Sequence, residues 1–453
     1  MDVDVAIIGG GQAGVPLARS LAEAGQQVAL IERVHLGGSC VNFGCTPSKA
    51  LIASAQVAYE ARNGERWGIR IPTIDVDFGA VMDRVRGMVA AARNSLDDSI
   101  EQAANPCLIR AHGRLAGRED GRFVVESDGG RVRARRVVLD TGTRSLLPDI
   151  DGLRTVPLLT AENWIDMTVL PERLIVIGGS YLALEFGQAF SRLESEVVVL
   201  QSGSALAERE DPDVSYVIAK FLEAEGLEIR LDVRIDRIEP IDGGIRVHVD
   251  GVVLEGTHLL VATGRRPNTD DLGLETLGVA TDQHGMIEVD ERLATTVAGV
   301  WAAGDIRGGP AFTHTAYADS KVIHDQIVGD SRMTTERIVP YAMFLDPELG
   351  RVGMTETEAR KAGHAIRIGR KDMSTSGKAK EVGQTAGFIK VVIDAETDRF
   401  LGAACLCHNG SEVVQVFIAL MNAGAGANTI KNSVVIHPTI GEAAKNAVVA
   451  AYT

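Results

Sequence analysis

Two cysteines, Cys40 and Cys45, lie in the stretch GGSCVNFGCTPSK, residues 37–49. Five positions separate them, and Pro47 and Lys49 follow the second. Such a pair serves as a structural bridge, as half of a metal site, or as a working redox couple. The run ALIASAQVAYEARNG begins at residue 50 and suits a helix, and proline is favoured in a first helical turn. Cys45 is therefore expected at a helix N-terminus, where the macrodipole favours a thiolate. Lys49 would lie one turn on, on the same face, and lower the thiol pKa further. Cys40 is expected in the preceding loop. A zinc site would need two more ligands; His35 is the only nearby histidine, and no second cysteine pair has matching spacing. Five cysteines in 453 residues do not make a secreted disulfide framework. A redox pair fits best.

A redox pair needs an electron source, and the chain opens on one. The apolar run Val3–Ile8 reads as a buried strand, followed by Gly9, Gly11 and Gly14 in G-x-G-x-x-G spacing. Helical spacing runs from Val15 to Leu21, and a second strand, Val28–Ile31, ends at Glu32. In this context Gly9 makes the tight turn, Gly11 admits a pyrophosphate, Gly14 permits close packing, and Glu32 is placed to bond a ribose hydroxyl. The pattern repeats. A strand at Leu174–Ile177 leads to Gly178, a helix, and a strand at Val197–Leu200. Gln201 stands 23 residues after Gly178, as Glu32 stands 23 after Gly9. Ser180 and Ala183 replace the second and third glycines. Gln201 does not repel a 2′-phosphate, and Ser202, Ser204 and Arg209 follow it, so NADPH is expected over NADH.

The bulk numbers exclude several classes. A net charge of −15 argues against nucleic-acid or anionic-membrane binding. No segment approaches the roughly 20 apolar residues of a membrane span. The start lacks a basic n-region and cleavage site, so a cytoplasmic enzyme is expected. Two turns, LDTGTRSLLP at 139–148 and VATGRRPN at 261–268, each follow an apolar strand and read as inter-domain connections. Gly304 and Asp305 follow a short strand, and His314 opens a helix. From about Pro340 the texture changes to paired strands, an apolar helix, and a terminal segment with His437 and Glu442.

The cysteine motif, GGGQAG, the GD of AAGDI and the terminal HPTIGE together resemble the class I pyridine nucleotide-disulfide oxidoreductases, closest to the mercuric reductase-like branch. The resemblance spans nearly the whole chain in order. It implies an α/β fold with two Rossmann-like dinucleotide-binding domains and a C-terminal α+β dimerisation domain. Residues 1–145 and 269–338 would form the FAD domain, 146–268 the NAD(P) domain, and 339–453 the dimerisation domain. Gly9, Gly11, Gly14, Glu32, Gly38, Ser39, Gly113, Thr141, Gly142, Gly304 and Asp305 would hold FAD. Lys49 would sit beside the flavin, paired with Glu185. His314 would bring helix N–H groups to the flavin edge, its ring having no required chemical role. Gly178, Tyr181, Glu185, Gln201 and Gly264 would serve the nicotinamide nucleotide, with Tyr181 as a gate. Electrons would pass from NAD(P)H through FAD to a Cys40–Cys45 disulfide. Cys45 would face the flavin and Cys40 the substrate. In a homodimer, His437 from the second subunit would be the general acid–base, oriented by Glu442. The family also implies a cis His437–Pro438 bond.

The oxidant stays open: a small disulfide, or a metal ion such as Hg(II) or Cu(II) reduced by the same pair. A flavoprotein redox sensor is the non-enzymatic reading. No cysteine follows Cys407, where the mercuric branch carries a receiving pair. Cys405 and Cys407 alternate on a strand and are expected as apolar packing, as is Cys107 in a core strand.

Overall fold

The computed structural model describes residues 1–453, the side chain of residue 336 excepted. The first half runs β1 (Asp2–Ile8), α1 (Gly14–Glu23), β2 (Val28–Glu32), α2 (Gly38–Asn42), α3 (Cys45–Arg62) and α4 (Phe78–Glu101). It continues through β3 (Cys107–Arg110), β4 (Arg114–Glu119), β5 (Arg122–Ser127), β6 (Gly130–Leu139) and β7 (Thr143–Ser145). The second nucleotide unit holds β8 (Arg173–Ile177), α5 (Tyr181–Arg192), β9 (Glu196–Leu200), α6 (Pro212–Ala224) and β10 (Glu228–Arg230). After it come β11 (Ile235–Ile241), β12 (Gly244–Val249), β13 (Val252–Gly256), β14 (His258–Val261), β15 (Arg265–Pro267), β16 (Val300–Ala302) and α7 (Thr313–Val328). The C-terminal part has β17 (Pro340–Met343), β18 (Glu348–Gly353), α8 (Glu356–Lys361), β19 (Ile366–Asp372), α9 (Gly377–Glu381) and β20 (Phe388–Asp394). It ends with β21 (Phe400–Cys407), α10 (Gly410–Asn422), α11 (Asn428–Lys431) and α12 (Ile440–Ala450).

The fold is α/β. One sheet has the order β3-β2-β1-β6-β5-β4, with β16 pairing β6. β1 lies parallel to both β2 and β6. Its residues from Val5 to Ile8 are all buried, the continuous apolar run of a strand covered on both faces. A second sheet, β10-β9-β8-β14, repeats the parallel pattern around β8. β16 returns to the first sheet some 160 residues after β6, so that unit is discontinuous in sequence. The two turns read as connections meet each other: β7 pairs antiparallel with β15, Thr143 opposite Pro267. The C-terminal sheet is β17-β18-β21-β20-β19, covered by α10 and α12. Among the described residues no helix is long and apolar enough to cross a membrane.

Three peptide bonds are cis: Asn105–Pro106, Asp346–Pro347 and His437–Pro438. Cys405 and Cys407 are fully buried in the C-terminal core, as expected for packing residues. Cys107 differs from expectation. It lies at the sheet edge on β3 and is only half-buried, because no strand covers the outer side of β3.

Candidate active site

Cys45 is the first residue of α3. The turn before it is tight: Gly44 N–H donates to Ser39 O at 2.6 Å, and a side chain on Gly44 would meet that oxygen at 2.8 Å. Cys40 lies in the five-residue helix α2, not in a loop. Asn42 ties α2 to the segment before it, its amide donating to Leu36 O and Gly38 O at 3.1 and 2.7 Å. The Phe43 carbonyl accepts from Trp164 Nε1 at 2.8 Å, so a buried indole from the second unit locks the cysteine turn.

The thiols are electronically unequal. A hydrogen bond from Cys40, helped by Thr313 and the Lys49 charge, lowers Cys45 to about 6 against the opposing effect of burial. That same bond, with burial, pushes Cys40 upward. The two sulfurs are biased in opposite directions, Cys45 toward the thiolate and Cys40 toward the thiol. Cys45 Sγ also lies 3.3 Å from Thr313 Oγ1, at the start of α7.

Lys49 bridges the units. Its Nζ lies 2.6 Å from Glu185 Oε2, and Glu185 on α5 is 2% exposed. The second Glu185 oxygen accepts from Phe344 N–H at 2.8 Å, and Lys49 Nζ sits 4.5 Å from the Phe344 ring centre. Thus α3, α5 and the segment after β17 meet at one ion pair. Tyr181, the first residue of α5, is 38% exposed at the same junction.

The residues expected around FAD form one cradle along the C-terminal ends of β1, β2 and β6. Gly9 has φ +109°, and a Cβ there would fall 2.1 Å from Asp140 O. A Cβ on Gly14 would fall 2.0 Å from Gly9 O, and one on Gly11 2.8 Å from Asp140 Oδ2. Gly38 packs on Gly11, with 2.9 Å left for a Cβ. Glu32 closes the far end, accepting from Gly10 N–H at 2.7 Å and Val34 N–H at 2.8 Å. Gly113 packs under Ile31. Thr141 Oγ1 donates to Asn268 O at 2.9 Å, tying the β6 turn to the β14 turn. Gly142 has φ +64° and open space beyond it. Gly304 has φ +66°, and Asp305 accepts from Thr143 Oγ1 at 3.1 Å. A glycine-lined trough with an acid at one end and Asp305 at the other fits an extended dinucleotide. Within it the sequence did not flag Asp140, a buried carboxyl. It accepts from Gly14 N–H at 2.7 Å, and burial pushes its pKa well up.

In the second unit Gly178 has φ +119° and lies against Ala262 O as Gly9 lies against Asp140 O. Gln201 folds onto Gly179, where a Cβ would meet its Cδ at 2.9 Å. Glu208 reaches the same corner: a Cβ on Gly203 would fall 1.6 Å from Glu208 Oε1 and 2.9 Å from Gln201 Nε2. Ser202, Ser204 and Arg209 are exposed. Gly264, φ +143°, receives Leu146 N–H on its carbonyl at 2.9 Å. The His314 ring bonds Pro340 O at 2.7 Å and stacks on Phe312 at 5.4 Å.

His437 Nδ1 and Glu442 Oε2 are 2.8 Å apart, and the His437 side chain is 74% exposed. Neither residue is among the groups that act on Cys40 or Cys45. Among the described residues no group of three or more His, Cys, Asp or Glu is placed to hold a metal. Missed from sequence were Trp164, Thr313, Phe344, Asp140 and Glu208; only the two hydroxyls of T-H-T at a helix start offered a signal.

Comparison with known proteins agrees with this arrangement. Residues 3–320 match the pyridine nucleotide-disulphide oxidoreductase family model, and residues 339–448 match that family's dimerisation domain. The chain is 31% identical over 441 residues to the probable pyridine nucleotide-disulfide oxidoreductase RclA of Escherichia coli, covering 96% of both. It is 31% identical over 457 residues to mercuric reductase of Bacillus cereus, covering 99% of this chain and 71% of the relative. A solved structure described as the Cu(II) complex of the HOCl-induced flavoprotein disulfide reductase RclA superposes with a TM-score of 0.90 at 31% identity, covering 98% of this chain and 99% of that one. The chain therefore belongs to the pyridine nucleotide-disulfide oxidoreductase family, and is an FAD-dependent enzyme that carries electrons from a pyridine nucleotide to a disulfide, with a dimerisation domain of its own.

Proposed function

We propose that Cys40 and Cys45 are the redox pair of this enzyme, with Cys45 on the FAD side and Cys40 meeting the oxidant. The observation that carries this is the asymmetry at the start of α3, where Lys49, Thr313 and Cys40 all favour charge on Cys45. FAD, when bound, supplies the electron relay between nucleotide and sulfur. Gly9, Gly11, Gly14, Glu32, Gly38, Ser39, Gly113, Thr141, Gly142, Gly304, Asp305 and the start of the His314 helix would hold it. Lys49, fixed by Glu185, sets a positive charge beside it. Tyr181 covers the approach for the nicotinamide nucleotide, which Gly178 and Gly264 admit.

In the dithiol state Cys40 attacks the oxidant's disulfide, forming a mixed disulfide and releasing one thiolate, which takes a proton. Cys45 then attacks Cys40, restoring the Cys40–Cys45 disulfide and releasing the second thiol. Both substrate sulfurs leave reduced, and the pair ends two electrons poorer. His437 of the partner subunit, held by Glu442, moves the protons. The exposed His437–Glu442 dyad, carried by the dimerisation domain, supports an active site shared across a homodimer. We divide the chain into FAD (1–145, 269–338), NAD(P) (146–268) and dimerisation (339–453) domains, and place the enzyme in the reducing cytoplasm.

The nucleotide reading departs from the NADPH expected above. Gln201 is neutral, but Glu208 brings a carboxylate to its side. That charge repels a 2′-phosphate and suits a 2′-hydroxyl, which favours NADH. A second oxidant reading, reduction of a metal ion such as Cu(II), has support from the solved relative in complex with Cu(II). Mercury reduction has only the identity to mercuric reductases behind it.

The test is a turnover panel with NADH and NADPH against lipoamide, glutathione disulfide, an aromatic disulfide, Cu(II) and Hg(II). Cys40→Ser is expected to lower disulfide turnover about a thousandfold or more. Retained turnover in that variant would remove the assigned pair.

A further inference from the structure

We propose that Thr313 is a positioning residue of the redox centre, its hydroxyl donating a hydrogen bond to the Cys45 thiolate and holding the sulfur in place. The inference rests on the reading of Cys45 as the charged member of the pair.

The geometry starts from the ends of two helices. Cys45 opens α3 and Thr313 opens α7, and their Sγ and Oγ1 atoms are 3.3 Å apart. A thiolate has no proton, so between these two atoms the hydroxyl is the donor. A hydroxyl inside a helix usually turns back to the carbonyl four residues before. Thr313 opens α7 and has no helical turn before it, and the carbonyls just upstream are engaged by Thr315, whose Oγ1 donates to Pro310 O at 2.8 Å and Phe312 O at 2.6 Å. Thr315 also accepts from Phe312 N–H at 3.2 Å, so the cap belongs to Thr315 and Phe312. The Thr313 hydroxyl is thereby left for the sulfur. Its β-branched side chain has few rotamers to lose.

The helix carrying it cannot slide. Asp319, one and a half turns on and fully buried, accepts from Gly304 N–H at 2.8 Å and pairs with Arg307 at 2.8 Å and Arg337 at 2.7 Å. The ionisable groups set around Cys45 are Cys40 on α2, Lys49 on α3, and Glu185 and Tyr181 on α5. Lys49 acts as a charge and Cys40 as a donor that is consumed when the pair oxidises. Thr313 is a donor that survives every redox state and reaches both sulfurs.

The test uses the flavin-loaded, thiol-reduced enzyme and its Thr313→Val and Thr313→Ser variants. With Cys45 on the flavin side, its ionisation is followed from pH 4 to 9 by the long-wavelength thiolate–flavin absorbance of the enzyme with its thiols reduced and its flavin oxidised. Thr313→Val is expected to move the midpoint of that titration up by about one unit, and Thr313→Ser to restore it. Equilibration in dithiothreitol redox buffers should show the Thr313→Val pair about tenfold harder to reduce, about 30 mV lower. An unmoved midpoint in Thr313→Val overturns the inference. So does a Thr313→Ser variant that behaves like valine, which would assign the effect to the methyl group. If the valine variant does not fold with flavin, Thr313→Ala is read by the same two measurements. Loss of the redox-pair reading itself would show separately, as full disulfide turnover in Cys40→Ser.

Discussion

The two nucleotide units share a backbone plan and differ where their loops approach the ligand. In each, a central strand ends in a positive-φ glycine, Gly9 or Gly178, pressed against the carbonyl of residue 140 or 262. In the first unit a carboxyl follows at Asp140 and the helix begins at Gly14, with no room for one carbon atom. In the second, Ala262 and Ala183 take those places, and the Ala183 methyl is fully buried without collision. The acid at the strand end also differs: Glu32 is held by two backbone N–H groups, while Gln201 lies on Gly179 beside Glu208. The first turn has no room for a side chain, while the second carries Ala183 and an exposed Tyr181; on the reading proposed above, the first retains its ligand and the second exchanges one.

The largest expected effect breaks this contrast at its tightest point. Gly14→Ala places a methyl 2.0 Å from Gly9 O, and should destabilise the fold by about 3 kcal/mol or more with loss of bound flavin. Its counterpart, Ala183→Gly, should lower stability by only about 1 kcal/mol, the helix-propensity difference. Flavin absorbance per chain and thermal melting separate the two. Equal effects would dissolve the distinction.

Next in size is the joint between the units. Lys49→Met leaves the Glu185 carboxylate, 1% exposed, with only Phe344 N–H as partner. A stranded buried charge costs about 3–5 kcal/mol; the 30% exposure of Lys49 places this case near the lower end. Adding Glu185→Gln should recover at least half of the loss in denaturant melts. No recovery would mean that the pair is not what joins the units.

The corner beside Gln201 can be tested directly. Glu208→Arg should shift the kcat/KM ratio of NADPH to NADH by about 10–100-fold toward NADPH, with flavin content unchanged. A ratio that does not move would return the choice to Gln201 and its flanking serines.

The smallest effect is the pH response of Asp140. Burial raises its pKa above the unfolded value. The folded chain then keeps a proton that the unfolded chain releases, so stability falls as pH rises from about 4 until the folded pKa is passed. Asp140→Asn cannot ionise and escapes this decline. The variant should match the parent near pH 4 and exceed it by about 1 kcal/mol at pH 8. The second unit, with Ala262, has no equivalent term, and a flat difference across pH would show that Asp140 is not the source.

Much of this was legible in the residues. The glycine spacings, the apolar strands around them and Pro47 after Cys45 each depend on neighbours a few positions away. These features recur in β1, β2, β8, β9 and α3. The cis His437–Pro438 bond and the antiparallel β20–β21 pair agree with expectation as well. The misreadings are equally instructive. Cys40 was expected in a loop because the five residues between Gly38 and Gly44 carry no periodic signal, yet α4 packs on them and holds a short helix. Cys107 was expected in the core because a strand pattern does not say which strand forms the sheet edge.

The sequence by itself determined the two nucleotide-binding units, the cysteine at a helix start and the class of chemistry. Backbone conformation and apolar period are set locally, by steric limits on φ and by which face of an element avoids water. Only the tertiary structure decided what stands beside that cysteine. Thr313 is 268 positions away, Trp164 is 121 from Phe43, and Glu208 returns to Gly203 across a loop. Such contacts follow from how packed helices and sheets aim side chains through space, and no local period encodes that. His437 and Glu442 stand together on an exposed part of the C-terminal region, and among the described residues the structure of one chain gives them no further partner to act on.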